Sequence, residues 1–136
     1  MNQSTTTQPT MTQSTMNGLI WIAHGSKRVE SNQAVADLVE RVAPQLTNKF
    51  DLILPAFLEL TDPKIEAQAE VLIKKGCKKI TLFPYFLAPG HHLVSDLPKI
   101  QQQLQTRFVD CDVELIEHLA ELKDWDAFLV NALQSD

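Results

Sequence analysis

Four side chains in this sequence have the types that bind metal ions and move protons, and each lies just beyond an apolar run. His24 follows Gly18-Leu19-Ile20-Trp21-Ile22-Ala23, Glu59 follows Asp51 to Phe57, and the adjacent His91 and His92 follow Ile80 to Phe83 across a turn. Two imidazoles and one carboxylate brought together could hold a divalent ion such as Co²⁺, Fe²⁺, Ni²⁺ or Zn²⁺, leaving coordination positions open. The carboxylate could also accept protons. Taken singly, each residue has a plainer reading: His24 as a satisfied histidine at a strand end, Glu59 as a loop carboxylate facing water, and one of the two histidines as part of a solvated loop. His118, in Ile116-Glu117-His118, reads as a surface residue. Joint placement at one edge is what turns these residues into a candidate site.

Whether they can meet depends on the elements that carry them. The stretch Phe83 to Pro98, FPYFLAPGHHLVSDLP, organises the rest. Pro84, Pro89 and Gly90 force the chain out of a strand. Ser95 or Asp96 then suits a helix cap, with Pro98 in the first turn. This puts the histidine pair on a loop between a strand's C-terminal end and a helix's N-terminal end, where open α/β sheets bind ligands.

Gly18 to Ala23 reads as a strand covered on both faces. Val35, Val39, Val42 and Leu46 then recur at helical spacing between Val29 and Leu46. Asp51 to Phe57 is a second strand, with Pro55 marking an edge or a bulge. Asp62 is expected to cap a helix with Pro63 at its first position, buried through Ile65, Ala69, Leu72 and Ile73, and ended by Gly76. Lys78 to Phe83 and Val113 to Ile116 supply two more strands. Helices carry Leu97, Ile100, Leu104 and Phe108, and finally Leu122, Trp125, Leu129 and Leu133. This alternation predicts an open, parallel four-stranded α/β sheet with helices on both faces. All three strand ends bearing the polar residues then share one edge.

Residues 1 to 17 carry no charged side chain and almost no apolar one, which predicts a disordered tail ahead of one domain spanning 18 to 136. A net charge of −5 argues against a general nucleic-acid binder. No apolar run approaches the roughly 20 residues of a membrane span. Cys77 and Cys111 lack CxxC spacing, which fits free thiols in a cytoplasmic chain. After the first strand, Gly25 and Ser26 could offer backbone N–H groups to an anion, and Lys27 and Arg28 add local positive charge.

Three motifs, in order, resemble the small class II tetrapyrrole chelatases of the CbiX/SirB type. Ala23-His24-Gly25-Ser26 with Asn32 is similar to that family's first-strand motif. Pro55-Ala56-Phe57-Leu58-Glu59 with Asp62-Pro63 is similar to its second. Gly90-His91-His92-Leu93-Val94-Ser95-Asp96-Leu97-Pro98 resembles its long G-x-H-x-x-x-D-[IL]-P signature. The likeness covers residues 18 to about 134. It implies a chelatase-like, flavodoxin-like fold and insertion of Co²⁺, Fe²⁺ or Ni²⁺ into sirohydrochlorin, for cobalamin or siroheme synthesis, without an organic cofactor. It implies His24 and His92 as metal ligands, with Glu59 completing the catalytic set as proton acceptor. His91 stands where an apolar residue is expected.

For the acidic macrocycle, Lys27, Arg28, Lys64 and Lys99 would meet its carboxylates, with Ser26 beside them, while Phe83, Tyr85, Phe86 and Leu87 would line its face. Two-domain members pair two such halves, so a chain of this length implies a homodimer. Histidine phosphatases also place His-Gly after their first strand, but they need Arg where Ala23 stands. A non-catalytic metal- or tetrapyrrole-binding carrier of the same fold would use the same histidines and need no proton acceptor.

Overall fold

The computed structural model describes residues 16–135; the expected tail falls almost entirely outside them. Strand β1 (Met16–Ala23) begins two residues earlier than its apolar run, so Met16 and Asn17 belong to the sheet. There follow α1 (Val29–Val42), β2 (Leu52–Phe57), α2 (Ile65–Lys74), β3 (Cys77–Pro84), α3 (His91–Arg107), β4 (Asp112–Leu115) and α4 (Trp125–Gln134). The four strands form one sheet in the order β2-β1-β3-β4, and every pairing is parallel. Pro55 lies in β2, an edge strand, where its missing N–H costs no ladder bond on the outer side.

The sheet divides two cores, as a parallel sheet with crossover helices must. On one face, Ile20, Ile22, Ile80 and Leu82 pack with Ile65, Ala69 and Leu72 of α2 and Leu104 of α3. On the other, Leu19, Trp21 and Phe83 pack with Val39 of α1. Ile20, Ile22, Leu72, Ile80 and Leu82 are fully buried, each contributing about 1.5–3 kcal/mol of hydrophobic stabilisation. Cys77 and Cys111 lie in the first core as free thiols, and burial pushes both above the usual thiol range.

Several boundaries differ from the sequence reading. The long first helix tightens into a 3₁₀ turn at Ala43–Leu46, where Pro44 interrupts it. Asp62 does not cap α2: Phe57 donates its N–H to the Pro63 carbonyl, so the chain continues along the end of β2 and the helix starts at Ile65. Gly76, at φ +106°, ends α2 as expected.

The largest shift concerns α3, which starts at His91 with Gly90 at its cap position, rather than after Ser95 or Asp96. Pro98 therefore lies inside the helix. It sits on an exposed part of α3, where water can take the Val94 carbonyl that Pro98 cannot serve. The last helix also differs, because none of α4 is buried.

Candidate active site

The C-terminal ends of β1 and β2 are fastened together by the backbone. Leu58 donates its N–H to the Ala23 carbonyl at 3.0 Å, and Glu59 donates to the His24 carbonyl at 3.1 Å. Gly25 closes this clasp. Its φ is +98°, and a Cβ there would fall 1.9 Å from the Glu59 carbonyl oxygen, so only glycine lets the loops approach so closely. Behind it, Asn32 Oδ1 accepts the Ser26 N–H at 2.9 Å, and Asn32 Nδ2 donates to the Ser26 carbonyl at 2.8 Å. The turn after β1 is thus tied to α1.

This scaffold sets His24 Nε2 3.4 Å from Glu59 Oε2, with both side chains more than half exposed. His24 Nδ1 lies 3.3 Å from the Gly25 carbonyl oxygen. The tautomer that donates from Nδ1 leaves the Nε2 lone pair facing the carboxylate. Two lone pairs across such a gap can share a proton or a cation. Metal–ligand bonds of about 2.1 Å at a tetrahedral angle would span roughly the same distance.

The other predicted residues are placed differently. His91 and His92 occupy the first turn of α3, not a loop. His92 Nε2 pairs with Asp96 Oδ2 at 3.0 Å on its own helix, and its side chain is 90% exposed. Among the described residues, no three His, Cys, Asp or Glu side chains gather into a group able to hold a metal ion. His24 and Glu59 are therefore brought together, while neither histidine of α3 joins them.

The Ser26 N–H is spent on Asn32, and Ser26 Oγ accepts the Arg28 N–H at 3.0 Å. Ser26 and Arg28 thus spend their N–H groups within the turn, while the side chains of Lys27 and Arg28 are exposed beside it. Tyr85 and Phe86 are half-buried on opposite faces. Tyr85 packs with Trp21 and Phe83, and Phe86 against the other core. Only their outer parts could meet a ligand.

Asp96 as the partner of His92 was missed in the sequence, although their i, i+4 spacing on a helix carries that signal. The Gly25–Glu59 contact has no local signal, because it joins residues from two loops.

The family model described as CbiX matches residues 18–135. A sirohydrochlorin cobaltochelatase of Methanococcus maripaludis is 33% identical over 85 residues, which are 62% of this chain and 58% of the relative. A chloroplastic sirohydrochlorin ferrochelatase of Arabidopsis thaliana is 30% identical over 91 residues, 67% of this chain and 40% of the relative. The chain thus spans about half the length of these curated relatives.

Among solved structures, a CbiX protein from Marinobacter aquaeolei superposes with a TM-score of 0.72 at 22% identity, covering 87% of this chain and 94% of its own. The sirohydrochlorin chelatase SirB of Bacillus subtilis subspecies spizizenii, in complex with cobalt, gives 0.69 at 22% identity, with 76% of this chain and 44% of that one covered. At these identities the likeness establishes the fold: the open parallel sheet read from the sequence is the one these proteins share.

Proposed function

The chain belongs to the CbiX family, and on that premise we propose that it inserts a divalent metal, Co²⁺ or Fe²⁺ with Ni²⁺ as a further candidate, into a sirohydrochlorin-type tetrapyrrole. The observation that carries this reading is the His24–Glu59 pair, 3.4 Å apart and exposed at the sheet's C-terminal edge. Metal insertion displaces two pyrrole N–H protons and requires the ion to shed water. His24 Nε2 would hold the incoming ion as a neutral imidazole ligand. Glu59 would accept a displaced proton and pass it to solvent, which its exposure permits.

His92 would be the second imidazole. Asp96 would hold its Nε2, as it does at 3.0 Å here, and leave Nδ1 as the ligand atom once the exposed ring turns toward the ion. Lys27 and Arg28 are suited to the acidic periphery of the macrocycle, as is the outer surface near Ser26; the exposed parts of Tyr85 and Phe86 are suited to its face.

The second element of the proposal is a homodimer. Phe128, Val130 and Leu133 of α4 are each more than half exposed, and no residue of that helix is buried. An apolar helix left uncovered in this way suits packing against a second copy. The SirB match, which takes up 44% of the longer chain, fits one unit of a paired arrangement. Free, buried thiols suit a cytoplasmic setting, and no helix among the described residues is long and apolar enough to cross a membrane.

The deciding experiment presents the purified chain with sirohydrochlorin and each ion in turn and follows the absorbance of the product. Faster formation of a metallated product than in protein-free controls supports the enzyme. Metal and tetrapyrrole binding without accelerated insertion would support the carrier reading instead.

A further inference from the structure

Leu60, the residue after Glu59, is unfavourably placed in two respects. Its φ is +72°, in the left-handed region where a leucine Cβ crowds its own carbonyl. Its side chain is 53% exposed, so burial offers little in return. Among the described residues, the other non-glycine residue with positive φ is Asp124, a type that tolerates this conformation. Glycine or asparagine would suit the backbone at position 60 better than leucine does. Leu58, two places earlier, packs against the core; Leu60 lies beyond the clasp that fixes Glu59.

Leu60 also has counterparts on the same edge. Val29 opens α1, Leu87 follows β3, and Val94 is in the first turn of α3; each is at least half exposed. The strands that precede these segments, β2, β1 and β3, are neighbours in the sheet. Four large apolar side chains are therefore distributed over the loops and helix starts at the sheet edge that carries the His24–Glu59 pair.

We propose that Leu60 is a substrate-binding residue, the member at the β2 end of an apolar rim that seats the flat face of the tetrapyrrole against His24 and Glu59. This rests on the chelatase reading above and names the contact that would hold its substrate. The macrocycle's face is apolar and its carboxylates are peripheral, so a rim of aliphatic side chains can cover the face while the acids stay in water. Leucine at position 60 then trades backbone comfort for a contact made only with ligand present.

The test compares the wild-type full-length chain with L60G and L60M in three measurements: the thermal midpoint, the dissociation constant for metal-free sirohydrochlorin, and the molar mass in solution. L60G should melt about 2–5 °C higher, because glycine relieves the strained φ, yet bind the tetrapyrrole roughly fivefold more weakly. L60M should retain affinity to within about twofold, since methionine preserves the apolar reach. Equal binding by L60G and wild type overturns the proposal, as does a lower midpoint for L60G. A change of mass without a change in tetrapyrrole affinity would assign the rim to a second copy and overturn it likewise. A wild-type chain that binds no tetrapyrrole overturns both this proposal and the chelatase reading; a wild-type chain that binds it, with L60G unimpaired, overturns this one alone.

Discussion

The ends of β1 and β2 and the segment after β3 both carry candidate chemistry, but they are built in opposite ways. His24 and Glu59 stand on loops fastened by two backbone hydrogen bonds and a glycine contact with no room for a methyl group. His91 and His92 stand on a helix start where Gly90 has nothing within 4 Å of its would-be Cβ. There, His92 pairs, among the described residues, within its own helix. One half of the site is thus preset by the fold, and the other is held by α3 alone. Preset geometry reduces the ordering cost of capturing an ion. An exposed imidazole on a helix start is free to turn toward a ligand that arrives later.

The sharpest way to break this contrast is Gly25→Ala. A Cβ 1.9 Å from the Glu59 carbonyl oxygen must push the loops apart, and it must also adopt φ +98°. We expect destabilisation of at least about 2–3 kcal/mol and loss of metal insertion. Chemical denaturation of purified protein, beside the insertion assay, measures both. Gly90→Ala is the matched control on the loose side and should leave the denaturation midpoint nearly unchanged. Similar midpoints for both variants would mean that the clasp does not hold the site.

Glu59→Gln tests chemistry on the fastened side with little change in shape. The amide keeps the carbonyl oxygen but cannot take a pyrrole proton, so insertion should slow on the order of 100-fold or more. Its side chain is more than half exposed, so the melting temperature should stay close to wild type. Insertion at the normal rate would remove Glu59 as the proton acceptor.

The same contrast explains what could be read from the sequence. Alternating apolar runs and helical stripes gave strand number, parallel pairing and the two-faced core, because those patterns follow directly from burial. The common edge of His24, Glu59 and the histidine pair followed from parallel pairing. The start of α3 did not, because Pro98 normally marks a first turn and the cost of placing it deeper is offset by solvent on that side of the helix. Nor did the exposure of α4: the stripe of Leu122, Trp125, Leu129 and Leu133 looks like any buried face, but Leu122 alone packs against the second core, ahead of the helix, and among the described residues nothing buries α4 itself. Contacts between loops, such as Gly25 with Glu59, leave no periodic trace at all.

On the loose side, His92→Ala should leave folding intact, since a side chain 90% exposed contributes little to the core. Its effect should appear in metal titration instead. Losing a direct ligand costs at least as much as losing a supporting residue, for which roughly 10–100-fold is usual. His24→Ala should weaken binding at least as much, because His24 is the imidazole already set beside Glu59. If His92→Ala binds cobalt as tightly as wild type while His24→Ala does not, α3 contributes no ligand, and the fastened half is the whole metal site.

The smallest effect is expected from His91→Ala, and it decides which member of the histidine pair matters. Successive residues on a helix point about 100° apart, so the two imidazoles cannot share one direction. His92 lies one turn before Asp96, whose carboxylate is 3.0 Å from Nε2; that contact can orient the ring and fix its tautomer. The residue one turn beyond His91 is Ser95, whose hydroxyl is already donated to the His92 carbonyl at 3.2 Å, so no comparable support exists there. Removing His91 should change cobalt affinity and insertion rate by less than about twofold and stability by less than about 0.5 kcal/mol. Asp96→Asn, by contrast, should lower metal affinity without unfolding the chain, because the ring it orients is the one in use. Equal losses in His91→Ala and His92→Ala would show the pair acting together, and a larger loss in His91→Ala would move the ligand one place along the helix.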